Sequence, residues 1–356
     1  MPTRPITFTS SVLPARDRGL ELGERFRAEV TAHAAAYRAL FERRADRPFD
    51  VDEWSARAWE SIRALAPEAA EEIAGIAEGA GRPVEEVAAV NARTELLVAA
   101  NPSGLSECST VIALPPGAAP VAVQTWDWYD AMSDGWFHWT IPHEDGRVVQ
   151  TVTEWGMLGK IGVSSAGVAV MLNMLHHEND AKAAAEERIG YPVHLLARAI
   201  LDRAGSYAEA RSIASAATSA STSLTVVDRD GAGGTIELFP GGPGVLEPED
   251  GLLVRTNHFV SEAGAPGCLA STISDSTEFR RTALLDALTA TPPTSAADVV
   301  AAMECHRDDG AGVCSHPRTE DDPLLWHRTL ATVCLDVATG SLTVRDGGPC
   351  GERLRP

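Results

Sequence analysis

Lysine is almost missing: Lys160 and Lys182 are the only two, and arginine makes up the rest of the 30 basic residues. Against these stand 50 acidic residues, for a formal charge of −20. A surface of that sign repels phosphate backbones and anionic membranes, which excludes nucleic acid and membrane surfaces as partners. No run of about 18 apolar residues exists to cross a bilayer, and the start, Met1-Pro2-Thr3-Arg4-Pro5-Ile6-Thr7-Phe8, lacks the apolar core of a secretion signal, so a cytoplasmic protein is expected. Cysteine is sparse. Cys108, Cys268, Cys305, Cys314, Cys334 and Cys350 are too scattered for a disulfide scaffold and should be free thiols. A Gly-x-Gly-x-x-Gly after a strand, a Gly-x-Ser-x-Gly and a phosphate loop are all missing, so no cofactor is expected. Cys305-His306 and Cys314-x-His316 could be drawn as four zinc ligands. The adjacent Cys-His pair and the short gap do not match common finger spacings, so no metal is expected either.

What is present is a chain of 356 residues, 44% hydrophobic, with ample material for a large core. Residues 11–100 read as helical: 18–44 is rich in Ala, Glu, Arg and Leu, 54–78 has apolar residues at helical spacing, and Pro83 opens a further helix toward Asn101. From residue 108 the pattern changes to strands over 121–126, 136–141, 147–153 and 167–173. Helices are expected over 192–204 and 207–217, strands over 223–227, 235–239 and 252–256, and helices over 279–288 and 296–303. Residues 330–337 and 342–345 form a closing hairpin around Ala338-Thr339-Gly340. Blocks of helix and strand, without βαβ repeats, predict a layered α+β sandwich. The glycine- and proline-rich stretches 240–248 and 264–267 read as loops, and nothing marks a second independent domain.

The stretch Leu105-Ser106-Glu107-Cys108-Ser109-Thr110-Val111-Ile112-Ala113-Leu114 sits at the change of pattern. It places a thiol after the turn cluster Asn101-Pro102-Ser103-Gly104 and at the start of a β-branched run. Were the Glu107–Cys108 bond cut, Cys108 would carry a free α-amine beside its own sulfur, nucleophile and base in one residue. The plainer reading is an inert buried cysteine at a strand end.

Several segments decide between these. Asn91-Ala92-Arg93-Thr94-Glu95 lies ahead of Cys108-Ser109-Thr110, and Gln124-Thr125-Trp126-Asp127-Trp128 follows it. Then come Thr153-Glu154-Trp155-Gly156-Met157-Leu158-Gly159-Lys160-Ile161-Gly162, Ser165-Ala166-Gly167-Val168-Ala169-Val170, Arg255-Thr256-Asn257-His258 and Gly312-Val313-Cys314. Together, over roughly 75–347 and most weakly over 180–254, these resemble the acyl-coenzyme A:6-aminopenicillanic-acid acyltransferase family, the C45 peptidase group of N-terminal-nucleophile hydrolases. The resemblance implies a four-layer αββα sandwich. It also implies a precursor that cuts itself between Glu107 and Cys108, giving a helical α chain (1–107) and a β chain (108–356) that stay folded together. It makes Cys108 the nucleophile. Asn257 becomes a side-chain donor to the oxyanion and Asp127 the group that orients the new amine. A capping role for Asn257 and an Asx turn at Asp127 are the plainer alternatives.

Two departures stand out. Glu107 occupies a position where a member of the family has Gly, and Ser315-His316 follow Cys314 where the family often has Arg, a cation suited to carboxylate or phosphate. Ser315, His316, Trp128 and Glu154 are the substrate-binding candidates. The expected activity is hydrolysis of a small N-acyl amide through a thioester, in a setting such as specialised metabolism. Acyl-CoA-dependent N-acyl transfer is the alternative, and an unprocessed, non-catalytic binding protein the rival from another class.

Overall fold

The computed structural model describes residues 5–101, 108–216, 218–308, 312–317 and 322–351. A first strand, β1 (Ile6–Thr9), precedes six helices: α1 (Ala15–Arg25), α2 (Arg27–Arg44), α3 (Val51–Leu65), α4 (Pro67–Ala80), α5 (Val84–Asn91) and α6 (Arg93–Ala100). The helical reading of this region holds, and the helical spacing over 54–78 belongs to two helices, α3 and α4. Pro67 cannot extend α3 and instead occupies the first turn of α4, where its missing N–H is not needed. Asp50 caps α3, accepting from the N–H groups of Asp52 (3.0 Å) and Glu53 (3.1 Å). Helices α1 and α4 cross in backbone contact: a Cβ on Gly19 would lie 2.1 Å from the Glu72 carbonyl oxygen, and one on Gly75 2.0 Å from that of Arg16.

The remaining strands are β2 (Ser109–Ala113), β3 (Val121–Tyr129), β4 (Trp136–Pro142), β5 (Val148–Glu154), β6 (Ile161–Ser164), β7 (Val168–Met174), β8 (Thr222–Asp228), β9 (Gly233–Phe239), β10 (Gly242–Leu246), β11 (Leu252–Arg255), β12 (His327–Asp336) and β13 (Ser341–Asp346). Helices α7 (Glu178–Ala185), α8 (Val193–Arg203) and α9 (Tyr207–Ile213) follow β7, and α10 (Ala270–Ile273), α11 (Ser276–Ala290) and α12 (Ala296–Ala302) follow β11. One sheet runs β1-β4-β5-β6-β7-β8-β9-β10, the other β11-β2-β3-β12-β13. The expected closing hairpin is β12–β13, and β12 also pairs with β3. Strand β10 lies inside the stretch expected to be a loop. Its pairing to β9 at the sheet edge uses backbone groups, which Gly and Pro there do not prevent.

Strand alternation builds the layers. In β7, Ala169 and Met171 meet Ile112 and Ala122 between the sheets. Val168, Val170 and Leu172 point the other way, onto Leu196 and Ile200 of α8. In β2 and β3, Val111, Val121 and Val123 pack on Leu284, Leu288 and Val299 of α11 and α12. The order of layers is therefore helix, sheet, sheet, helix, and the αββα expectation is met. Leu22, Ile73 and Ile76 of α1 and α4 extend the outer layer over Phe137 and Trp139, while Tyr37, Leu40, Leu96 and Leu97 join the core between the sheets.

Candidate active site

Cys108 lies immediately before β2 and is buried in the core between the sheets. The register Ser109↔Thr125 sets it level with Trp126, with Asp127 one position beyond, and its Sγ is 3.7 Å from the Asp127 carbonyl oxygen. Two side chains grip the Cys108 carbonyl. Asn173 of β7 donates through Nδ2 at 3.0 Å, and Arg280 of α11 through Nη1 at 2.9 Å. Arg280, fully buried, also donates to Ser109 Oγ (2.9 Å), Ser276 Oγ (3.1 Å) and Asn257 Oδ1 (2.9 Å). A guanidinium can only donate, so the oxygen of Asn257 must face Arg280 and its amide nitrogen must face away, donating to the Met174 carbonyl at 2.8 Å. Thr110 Oγ1 fixes Asn173 in the same manner, donating to its Oδ1 at 2.8 Å. Three of the four predicted groups around this centre, Cys108, Asp127 and Asn257, are thus together. Glu107, the other side of the expected cut, lies outside the described residues.

Burial pushes the Cys108 thiol up to about 11, and the Asp127 carboxylate adds to this, while Lys160 and Arg280 pull it down. In the uncut chain the sulfur therefore rests as a thiol.

Glu154, at the end of β5, is fully buried among partners from both halves of the chain. Its Oε1 accepts from Tyr37 Oη at 2.5 Å and lies 3.5 Å from His33 Nε2. Its Oε2 accepts from Arg93 Nε (3.0 Å) and Lys160 Nζ (3.5 Å). Burial disfavours the charge, yet Arg93 and Lys160 hold the carboxyl well below its ordinary range. Trp128 joins through Nε1, donating to Tyr37 Oη at 3.0 Å, and lies 4.0 Å under the Arg93 guanidinium. Lys160 stands 3.2 Å over the Trp126 ring, and burial lowers its pKa well below the ordinary value. The structure thus places Trp128 and Glu154 in an internal network that reaches Cys108 through Lys160.

The Asn91–Glu95 segment proves to be the seam between the two halves. Asn91 holds Gly156 O (2.7 Å) and Leu158 N–H (3.0 Å), Thr94 meets His194 (3.2 Å), and Glu95 accepts from Val193 N–H (2.9 Å). Ser315 is buried; its N–H donates to Thr329 Oγ1 and its carbonyl accepts from Thr329 N–H, each at 3.0 Å, and Thr329 pairs across the strands with Asp127. His316 instead points to two sulfurs, with Nε2 3.7 Å from both Cys314 Sγ and Cys350 Sγ.

Arg280, Asn173, Lys160 and Arg93 were not singled out from sequence. Asn173 had a signal, a lone amide in the apolar run Val170-Met171-Leu172-Asn173-Met174, where a buried polar group needs partners. Lys160 had one in a chain of two lysines. Arg280 had none, because helices carry exposed arginines routinely.

A family model described as acyl-coenzyme A:6-aminopenicillanic acid acyl-transferase matches residues 115–350. The 40 kDa form of acyl-coenzyme A:6-aminopenicillanic-acid-acyltransferase from Emericella nidulans is 37% identical over 136 residues, which cover 37% of this chain and 35% of that protein. The chain thus matches 35% of the length of this curated relative. Among solved structures, penicillin V acylase from Agrobacterium tumefaciens is similar at a TM-score of 0.45 and 10% identity, covering 67% of this chain and 83% of that one. Conjugated bile acid hydrolase from Clostridium perfringens is similar at 0.43 and 11%, covering 67% and 92%. With the family model spanning well over half of its length, the chain belongs to the acyl-coenzyme A:6-aminopenicillanic acid acyl-transferase family.

Proposed function

We propose that the chain is a self-processing amide hydrolase whose nucleophile is Cys108, freed as an N-terminal residue. The observation that carries this reading is the clamp of Asn173 and Arg280 on the Cys108 carbonyl, which holds the residue rigidly while its thiol lies protonated beside Asp127. In self-cleavage, Sγ adds to the carbonyl carbon of residue 107. The C–N bond breaks, the nitrogen takes the thiol proton and becomes the free α-amine, and water hydrolyses the resulting thioester to the carboxylate of residue 107 and the regenerated Cys108 thiol. That α-amine, with a pKa of about 8, then accepts the proton of its own thiol near neutrality. In turnover the sulfur attacks the substrate carbonyl, Asn257 donates to the oxyanion, Asp127 orients the amine, and the leaving amine takes the proton back. Water completes the cycle.

The two chains are expected to remain together. The Arg93–Glu154 pair and the Glu72 carboxylate, shared between Arg18 (2.7 Å) and Arg198 (3.0 Å), cross the cut, and separating such a buried pair strands a charge at about 3–5 kcal/mol. Acyl transfer and hydrolysis share the thioester. Hydrolysis is favoured by the charge of −20, which works against polyanionic acyl-CoA, and by Ser315 and His316 standing where a cation would grip it. The substrate is a small N-acyl amide, with Ser315 placed against it beside Asp127.

Intact mass separates this from a non-catalytic binding protein. The wild type should split into 1–107 and 108–356, the larger piece beginning Cys-Ser-Thr-Val, and Cys108→Ala should stay whole at 37.7 kDa. A wild type that stays whole, or a cut elsewhere, overturns the reading. Turnover of N-acyl amides with and without acyl-CoA donors decides between water and amine as acceptor.

A further inference from the structure

On the far side of Thr329 from Asp127's strand, next to Ser315, four side chains converge that nothing in the proposed reaction uses. His306, Cys314, His316 and Cys350 each bring one ligand atom, all within 4.8 Å of one another. The Cys314 and Cys350 sulfurs are 3.4 Å apart, and His316 Nε2 is 3.7 Å from each. Tetrahedral zinc, with bonds of about 2.3 Å to sulfur and about 2.0–2.1 Å to nitrogen, would set its ligand atoms about 3.3–3.8 Å apart. The imidazoles of His306 and His316 stack at 5.0 Å and 12°. Cys305, which the sequence spacing had offered as a ligand, instead packs with the core under α12 and gives its carbonyl to Cys314 N–H at 3.0 Å. Cys350 takes its place from 36 residues beyond Cys314, a separation no finger spacing encodes.

The backbone is shaped for the convergence. A Cβ on Gly312 would lie 2.5 Å from Cys305 O, so glycine there lets the loop fold back and bring His306 to Cys314. A Cβ on Gly348 would lie 2.5 Å from Cys314 Sγ, so glycine there lets the C-terminal segment cross the sulfur. We infer that these four residues form a Cys₂His₂ site for a borderline-soft divalent ion, zinc first. Two thiolates and two neutral imidazoles neutralise the ion's charge, and a disulfide between the same cysteines would leave both imidazoles without a use. The ion ties the segment carrying Ser315 to the chain end after β13. Through the Ser315–Thr329 bonds it braces the strand partner of Asp127, and His316 serves the ion rather than the substrate.

The test uses full-length wild-type protein, purified under reduction, with zinc content measured by mass spectrometry and cobalt replacing zinc for absorption spectra. One ion per chain is expected, with a thiolate-to-cobalt charge-transfer band and tetrahedral d–d bands. Cys350→Ser should weaken zinc binding by more than about 100-fold and abolish the charge-transfer pattern of two thiolates, while Cys305→Ser should leave both unchanged. If Cys350→Ser does not fold, the wild-type cobalt spectrum and zinc stoichiometry decide alone. Reduced wild type without stoichiometric zinc, metal binding lost with Cys305 rather than Cys350, or a Cys314–Cys350 disulfide in protein purified without reductant and inert to zinc after reduction would each overturn the site.

Discussion

Arg280→Lys keeps a buried positive charge and removes the guanidinium fork. The arginine reaches Cys108 O and Ser109 Oγ through Nη1 and Asn257 Oδ1 through Nη2, each at 2.9 Å. A lysine ammonium is a single shorter-reaching centre and can satisfy only part of that set. A hydrogen bond from a charged group contributes about 1.5–3 kcal/mol, so the folded protein should lose about 2–3 kcal/mol. The larger effect should be kinetic. With its oxygen released, the Asn257 amide is free to turn its nitrogen away from the oxyanion, and kcat should fall about 100-fold with little change in KM, the lower end of what removing an oxyanion donor costs. Intact-mass time courses read the self-cleavage rate, and steady-state kinetics on co-expressed chains with Cys108 already exposed read turnover. Combination with Asn257→Ala tests the route: if Arg280 acts by positioning Asn257, the double variant should be little worse than the poorer single one. A folded Arg280→Lys protein that cuts itself and turns over within about threefold of wild type would refute the positioning role, and fully additive losses would remove its route through Asn257.

Asn257→Ala in the pre-cut form should lower kcat by about 10²–10³-fold with KM nearly constant, and in the precursor it should also let uncut chain accumulate; turnover within about threefold of wild type would make Asn257 a structural residue. Cys108→Ser should cut itself slowly and turn over amide poorly, because a hydroxyl is a far weaker acid than a thiol and the only base is an amine of pKa about 8; equal turnover would point to another nucleophile. Burial raises the Glu95 carboxyl from 4.5 to about 7, and that of Asp180 from 3.8 to about 7. Both bind protons more tightly folded than unfolded, so their contribution to stability is complete below about pH 4 and is lost as pH rises through about 7. Glu95→Gln keeps an acceptor for Val193 N–H and should make the change in stability between pH 4.5 and 7.5 more positive than in wild type in denaturant titrations, by removing one of the two raised carboxyls that act against the buried histidines; an unchanged slope would remove Glu95 from the account.

A layered α+β sandwich was legible because the pattern changes in blocks, from Ala/Glu/Arg-rich helices to β-branched strands at residue 108, whereas the αββα order of the layers came from the family resemblance. The strands that escaped were those whose side chains say least. Strand β6, Ile161-Gly162-Val163-Ser164, is four residues long and admits a glycine because a Cβ there would lie 2.5 Å from Gln150 O on the neighbouring strand. Strand β10 hides in a Gly/Pro run, and β1 at the opposite edge pairs in parallel with β4, a contact between residues about 130 positions apart that no local period announces.

The site divides along the same line. Cys108, Asp127 and Asn257 could be named because each lies in a short segment that carries the family resemblance, Cys108-Ser109-Thr110, Gln124–Trp128 and Arg255–His258. The clamp could not, because its parts come from distant elements: Asn173 lies 65 positions from Cys108 and Arg280 172. That distance follows from the layers. Cys108 sits between the two sheets at the start of β2, and its carbonyl is reached by a residue from the facing sheet, Asn173 of β7, and by one from a helix packed behind its own sheet, Arg280 of α11. In the proposed self-cleavage such a grip fixes the residue whose sulfur moves, since the Cys108 carbonyl is held from two sides while Sγ turns toward the preceding peptide bond. The residues that hold it are therefore set by the sandwich, and only the residue that reacts is written into the local sequence.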